Sequence, residues 1–512
     1  MRKESVFKIY LEKYIWVLFV AIIVYLPMIV QELPNPDTLG NGLTYKDSYD
    51  WEDCLGRWGL RYIAKLKGYT IDSELVTIFS LFILNLIVMI VCEALKIEQK
   101  WLIIIISLLL VISLNIADLL TYYYCSDAYM LAYLFAMLAI FMSARNNTIL
   151  SWIIPPLLIC LSYSIYQAYI SNALVFALMI VIVDSINSEI DVKELLGRTV
   201  KMMVAGGGGT LLYLIITKIL HITGIIALTD GRGFSQMGNL GGVKNIFSEI
   251  ISTYILTIEY YFSNIVVNQK WLNKRVFIGL LVLVTAVVII FVMRVQTERK
   301  SKWIVLIAAI CLLPIGLFCE EIYAPSVSVF DSTGILILPA MNYVFILSGI
   351  IISKINLKSK VINKAIMYGG ESLICVITII MLLQVGIFQN CMKSNIEIAD
   401  TIANSILSEI QQIDGAQDCR LVICGKPEYG MQDELDIVKG TVASYGIAWD
   451  GENGSGWWNF FRHYKHYEYN NCDVRTVEKA IMPTQEYIDM PVYPNKGYVW
   501  KTDDLIIVKL GE

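Results

Sequence analysis

Long apolar runs, repeated from one end of the chain to beyond residue 380, constrain this sequence more than anything else in it. They fall at roughly 15–31, 75–95, 101–119, 127–144, 149–165, 170–187, 202–220, 276–293, 303–319, 335–353 and 366–388. A helix needs about 20 apolar residues to cross the hydrocarbon layer. Backbone placed there must satisfy its own hydrogen bonds, which favours helices for runs of this length. The expected fold is therefore a polytopic α-helical membrane protein with about eleven transmembrane helices. With 56% of residues hydrophobic and only 17% charged, the chain lies far from soluble proteins, which are about a quarter charged.

The first run follows Arg2, Lys3, Lys8 and Lys13 and ends without a small-residue cleavage site, so it is expected to stay as a span. Short loops then set the orientation. Lys96 and Lys100, Arg145, Lys193 with Arg198 and Lys201, Arg294 to Lys302, and Lys354 to Lys364 occupy alternate loops, all on the side of the basic N-terminus. The loops around Cys125, Tyr166 and Pro325 carry no Lys or Arg. This places the N-terminus in the cytoplasm of a plasma or inner membrane and the C-terminus outside. It also places the first loop, residues 32–72, outside, although that loop holds Lys46, Arg57, Arg61, Lys65 and Lys67. Cations on the translocated face run against the topology rule and call for another role.

Several features narrow the function classes. The net charge of −5, with no basic patch, argues against a nucleic-acid partner. Three histidines leave no set for a His-rich metal site, so no metal and no cofactor are expected; only carboxylates remain to hold a divalent ion. The eleven cysteines show no zinc spacing, and of these only Cys419 and Cys424 suggest a pair. Gly206 to Gly209 sit inside a span, as close helix packing or as a hinge. The glycine-rich stretch 229–245 is either a substrate-facing loop or a connector. Ile246 to Val267, with Glu249 and Glu259, fits a helix lying along the interface better than a span.

The composition changes near residue 393. Residues 1–392 form the expected transmembrane domain, and 393–512 an extracytoplasmic α+β domain. Helical periodicity runs from Ile396 to Ile413, and strand-like runs are Arg420 to Cys424 and Leu505 to Leu510. The aromatic cluster Trp449, Trp457, Trp458, Phe460, Phe461, Tyr464, Tyr467 and Tyr469 reads as an ordinary core or as a sugar-stacking surface.

The chemistry concentrates in the first loop. A general base must be a carboxylate held in place and shielded from bulk water. Asp37, in the Asn35-Pro36-Asp37 turn, suits that role, or the role of a helix cap. Glu52 is the second candidate. Reading Tyr49 to Leu66 as one interfacial helix puts Glu52 and Asp53 within ion-pairing reach of Arg57. It also puts Arg57 and Arg61 on one face, able to grip a phosphate or a lipid headgroup. Asp127, at the start of a later span, is a further candidate.

The runs Pro34-Asn35-Pro36-Asp37, Asn41-Gly42, Tyr45-Lys46, Trp51-Glu52 and Leu55-Gly56-Arg57-Trp58 resemble the first outside loop of bacterial O-antigen (serotype-converting) glucosyltransferases. Ser162 to Ala168, containing Tyr166 and Gln167, is similar to a span end of that family, and Met490 to Pro494 to the tail of its Gram-positive members. The resemblance implies a GT-C architecture and an essential acid in the first outside loop. It also implies an undecaprenyl-phosphate-linked sugar as donor and a cell-surface glycan, of O-antigen or teichoic-acid kind, as acceptor. Phage members carry adjacent acids directly after the first span, whereas this chain has Asp37 alone there. On this footing Asp37 and Glu52 are expected to be catalytic, and Arg57, Lys46 and Arg61 to bind the donor phosphate. Asn35, Asn41, Tyr45, Trp51, Trp58, Asp127, Tyr166 and Gln167 are expected to bind substrate. Other classes for such a chain are a polysaccharide transporter or flippase, which would need ionisable groups at mid-membrane, and a glycan-binding membrane subunit.

Overall fold

The computed structural model describes residues 12–41, 49–187, 189–229, 243–262, 274–295, 300–323, 342–354, 359–425, 427, 438, 441–448, 453–467, 479–502 and 504–511. Helices dominate it. In chain order they are α1 (Ile15–Gln31), α2 (Pro36–Asn41), α3 (Tyr49–Cys54), α4 (Trp58–Leu66), α5 (Ser73–Ala94), α6 (Lys100–Val111), α7 (Leu114–Leu120), α8 (Ser126–Arg145), α9 (Leu150–Ile165) and α10 (Ile170–Ile186). There follow α11 (Val192–Ile222), α12 (Val243–Phe262), α13 (Lys274–Val295), α14 (Lys300–Leu317), α15 (Glu320–Tyr323), α16 (Asn342–Ser353), α17 (Lys360–Gln411), α18 (Asn453–Asn459) and α19 (Gln485–Asp489).

The described part of every expected apolar run lies wholly or largely in these helices, α6 and α7 sharing one run. Six of the described helices are long and apolar enough to cross a membrane: α5, α8, α10 with the turn before it, α11, α13 and α17. Counting the bent α6–α7 pair as one span makes seven. The expected eleven is therefore not reached by length. The helices α1, α9 and α14 are apolar but short, and α16 is described only from Asn342, residues 335–341 of its expected run lying outside the described residues. In the α6–α7 pair the helix breaks and bends by 49°. Ser113 there turns extended and caps α7 by accepting from Ile116 N at 3.3 Å. The carbonyl of Val111, orphaned by the break, accepts from the Tyr25 hydroxyl at 2.8 Å. The stretch read as interfacial is the helix α12, and it does not meet the span criteria.

The boundary expected at 392/393 falls inside α17, a single 52-residue helix about 78 Å long. Up to Met392 its buried residues belong to the membrane core; from Ile396 they belong to the core of the C-terminal region. That second core packs Ile396, Ala399, Ile402, Ala403 and Ile406 against a small sheet and against Trp457, Phe460 and Phe461. The sheet consists of β1 (Arg420–Cys424), β2 (Val499–Lys501) and β3 (Leu505–Lys509), in the order β1-β3-β2. β1 runs parallel to β3 with Arg420 opposite Leu505, and β2 runs antiparallel to it. Both strands expected from the sequence are present. Trp457, Phe460 and Phe461 are core residues, which decides the reading of that part of the aromatic cluster; Trp449 and Tyr469 lie outside the described residues. Cys419 and Cys424 lie at the two ends of one extended strand, which separates them by about 16 Å and rules out a disulfide between them.

Among the described residues, Leu39 and Asp118 help fix this region to the membrane half. Leu39 of α2 is 4% exposed and sits in the second core, beside α18. Asp118 of α7, fully buried, accepts from Val442 N at 2.9 Å.

Candidate functional site

The first loop does not form one helix over 49–66. Gly56 adopts φ +75°, a left-handed conformation that costs glycine little, and splits the segment into α3 and α4. Arg57, at the start of α4, then turns back toward α3. Its Nη1 donates to Glu52 Oε2 at 2.7 Å and to the Tyr129 hydroxyl at 3.3 Å. The Tyr166 ring lies under the guanidinium, 4.8 Å from Cζ to centroid, and stacks on Tyr129 at 4.2 Å. The Glu52 side chain is 6% exposed and that of Arg57 12%. Burial pulls the Arg57 pKa down, but Glu52 with Tyr129 and Tyr166 outweighs it and holds the guanidinium protonated. Buried Nε of Arg57 has no hydrogen-bond partner among the described residues, so the fork keeps a donor for another acceptor.

Arg61 pairs with a different carboxylate, the buried Asp53, at 2.6 Å. A third ion pair joins Lys67 to Asp127 at 2.8 Å, where the N-terminus of α8 meets the first loop. Lys67 is one of the five cations that the sequence marked in this loop, and its partner Asp127 opens α8.

The turn between α9 and α10, together with α11, holds the loop. Gln167 donates to Leu55 O at 2.9 Å and to the Tyr213 hydroxyl at 2.8 Å, and Tyr213 donates to Gly56 O at 3.1 Å. The indole of Trp58 donates to Thr217 Oγ1 at 3.0 Å. Gln167 and Trp58 are thus placed by the structure as supports of the loop. Gly59 lets α4 approach α9: a Cβ there would lie 3.0 Å from the Ser164 carbonyl carbon. Tyr129 and Tyr213 were hidden from the sequence reading because each sits inside an apolar run.

Asn35 and Asp37 lie on α2. Asn35, fully buried, caps this helix by accepting from Thr38 N at 2.7 Å, and its own N–H donates to Thr121 O. Thr38 donates to Thr121 O and accepts from Tyr123 N, tying α2 to the loop between α7 and α8. Asp37 is half-buried in the first turn, where the helix dipole favours its charge, and Asn41 donates to its backbone carbonyl at 2.7 Å. The cap position therefore belongs to Asn35, not Asp37. Trp51 is 50% exposed and takes no part in the buried pairs. Tyr45 and Lys46 lie outside the described residues, as does the 230–242 part of the glycine-rich loop. Among the described residues no group of His, Cys, Asp and Glu is arranged to hold a metal ion.

One further carboxylate lies outside the first loop. Glu320, in the short helix α15 just past α14, is 4% exposed, and burial pushes its pKa up to about 8. The neighbouring Glu321 is pushed up to about 7 by burial and by Glu249.

Residues 26–341 match the family model described as "Glucosyl transferase GtrII". The chain belongs to the GtrII glucosyl transferase family. No curated protein and no solved structure matches it. The GtrII match takes in every site residue described above and ends before α16, leaving the whole C-terminal region outside it. It agrees with the glucosyltransferase resemblance and supports a membrane glycosyltransferase with a sugar donor and an acceptor.

Proposed function

We propose that this GtrII protein moves a hexose, glucose by family, from an undecaprenyl-phosphate-linked donor to a cell-surface glycan on the outer face of the cytoplasmic membrane. The anomeric carbon inverts: the acceptor oxygen bonds to C1 as the C1–O bond to phosphate breaks, and the lipid phosphate leaves with the electron pair. Asp37 takes the acceptor proton, with Glu52 as the second candidate. Phosphate is already a competent leaving group, so the protein's task is positioning and charge stabilisation.

The observation that carries this reading is Arg57. A buried guanidinium, stacked on an aromatic ring and holding an unused Nε donor, is suited to the negative charge that builds on a departing phosphate. Lys46 and Arg61 are the further cations of this loop proposed to bind the donor phosphate. The C-terminal region, fixed to α2 through Leu39, would present the acceptor beside Asp37.

The test is transfer from undecaprenyl-phosphate glucose by purified Asp37→Ala and Glu52→Ala proteins. Loss of activity in at least one is expected. Full activity in both sinks the assignment of the base to this loop.

A further inference from the structure

Below the first loop the helices part. α11 packs along α9, and α14 along α10, leaving an apolar groove of about 460 Å³ between α11 and α14 with α10 as its floor. Gly206, Gly207, Leu174, Ala177, Leu312 and Tyr163 are among the residues that line it. Its volume falls within the range of small-molecule sites. Met203, Leu174 and Leu312 on its walls are 69%, 41% and 46% exposed, so it opens sideways toward the surrounding lipid.

The glycine run of α11 divides at this groove. A Cβ on Gly209 would lie 2.7 Å from Pro156 O, and one on Gly208 would touch the Pro156 ring. These two allow α11 to close on α9, as small residues do between membrane helices. A Cβ on Gly206 or Gly207 would meet nothing within 4 Å. Packing therefore accounts for half of the run, and the other half keeps the groove empty.

The groove also leads somewhere. Going up α11, Thr199, Met202, Gly206 and Thr210 line it. The next turn brings Tyr213, which holds Gly56 and Gln167, and the turn after that Thr217, which holds Trp58. Tyr163 lines the groove and meets Tyr213 edge to face at 6.1 Å. One helix face thus joins an apolar channel to the backbone carbonyl beside Arg57. From Thr199 to Thr210 the channel follows about 17 Å of helix.

We infer that this groove holds the isoprenoid chain of the lipid donor, entering sideways between α11 and α14, with its phosphate at Arg57, and that Gly206 and Gly207 determine which chains fit. The inference rests on the donor class proposed above. A single occupant with a long apolar tail and an anionic head matches an apolar groove whose α11 face continues to Tyr213, the residue that holds the backbone beside Arg57. Ordinary phospholipid acyl chains would fill the groove without needing the arginine.

The experiment reads binding apart from transfer. Wild-type, Gly206→Leu and Gly207→Leu proteins in nanodiscs are labelled with a photoreactive undecaprenyl phosphate, against excess phosphatidylglycerol. Leucine in place of glycine strengthens a helix interior and here projects into open space, so both variants keep the fold. Wild type is expected to crosslink within residues 199–210 despite the phosphatidylglycerol, and each variant to lose at least tenfold. Equal labelling in all three proteins, or labelling abolished by phosphatidylglycerol, overturns the inference. The same proteins are assayed for transfer from a C55 and a C10 donor. The variants should lose the C55 reaction selectively; an unchanged C55-to-C10 ratio also counts against the groove. Labelling of 199–210 with no transfer from either donor would leave the groove standing and remove the proposed enzyme reaction.

Discussion

Replacing Glu52 with glutamine removes the counter-charge of Arg57 and keeps its shape. The pair is 2.7 Å long and both side chains are largely buried. At an effective dielectric of about 20, charges some 4 Å apart attract by about 4 kcal/mol, and breaking a buried pair from one side costs about 3–5 kcal/mol. Glutamine still accepts one hydrogen bond, so the expected loss lies at the low end, about 3 kcal/mol. An anion that binds the freed guanidinium returns that stability: at a hundredfold excess over Kd, about 2.7 kcal/mol. In wild type the same anion competes with Glu52 and gives less. The assay is thermal unfolding in nanodiscs with and without undecaprenyl phosphate. Glu52→Gln should melt below wild type in its absence and gain the larger increase in its presence. A variant as stable as wild type, or a lipid-phosphate gain no larger than that of wild type, refutes the reasoning that Arg57 is a phosphate ligand held in reserve by Glu52.

Other outcomes follow from single contacts. Gly59→Ala forces α4 away from Ser164 and should cost about 1–3 kcal/mol, with transfer activity falling alongside the Tm. Leu39→Ala opens a cavity in the second core at about 2–5 kcal/mol; hydrogen exchange should rise over 36–41 and activity should drop even though Asp37 is intact. Glu320 is more protonated in the folded than in the unfolded chain, so its contribution to stability is complete below pH 4.5 and is lost as pH rises through about 8. The Tm of Glu320→Gln should vary less than that of wild type between those pH values.

The helices of the membrane half were legible because apolar length is a local property. The sequence located the helices well, but their number as spans depends on breaks such as Ser113 and ends such as Tyr166, where one extended residue stops a helix that its neighbours would continue. The first loop stood out by polarity, and Glu52 with Arg57 was legible at close spacing. Their partners were not: Tyr129 and Tyr213 lie 72 and 157 residues from the groups they bind. Spacing also left open that the two arginines take different carboxylates, Arg57 pairing with Glu52 and Arg61 with Asp53. In the C-terminal region both strands followed from their β-branched runs, whereas the seating of Leu39 in that core joins segments some 360 residues apart and leaves no local trace.

α17 ties the two halves together by a rigid rod rather than a joint. From Gln389, which still donates to Val24 O in the membrane core, to Gln411 it rises about 33 Å without a break. A tilt of about 10° at its base carries the far end by about 6 Å. A shift of the helices packed against its first half is therefore carried to the small sheet with no intervening joint, and the seats of Leu39 and Asp118 would have to give for the two halves to move apart.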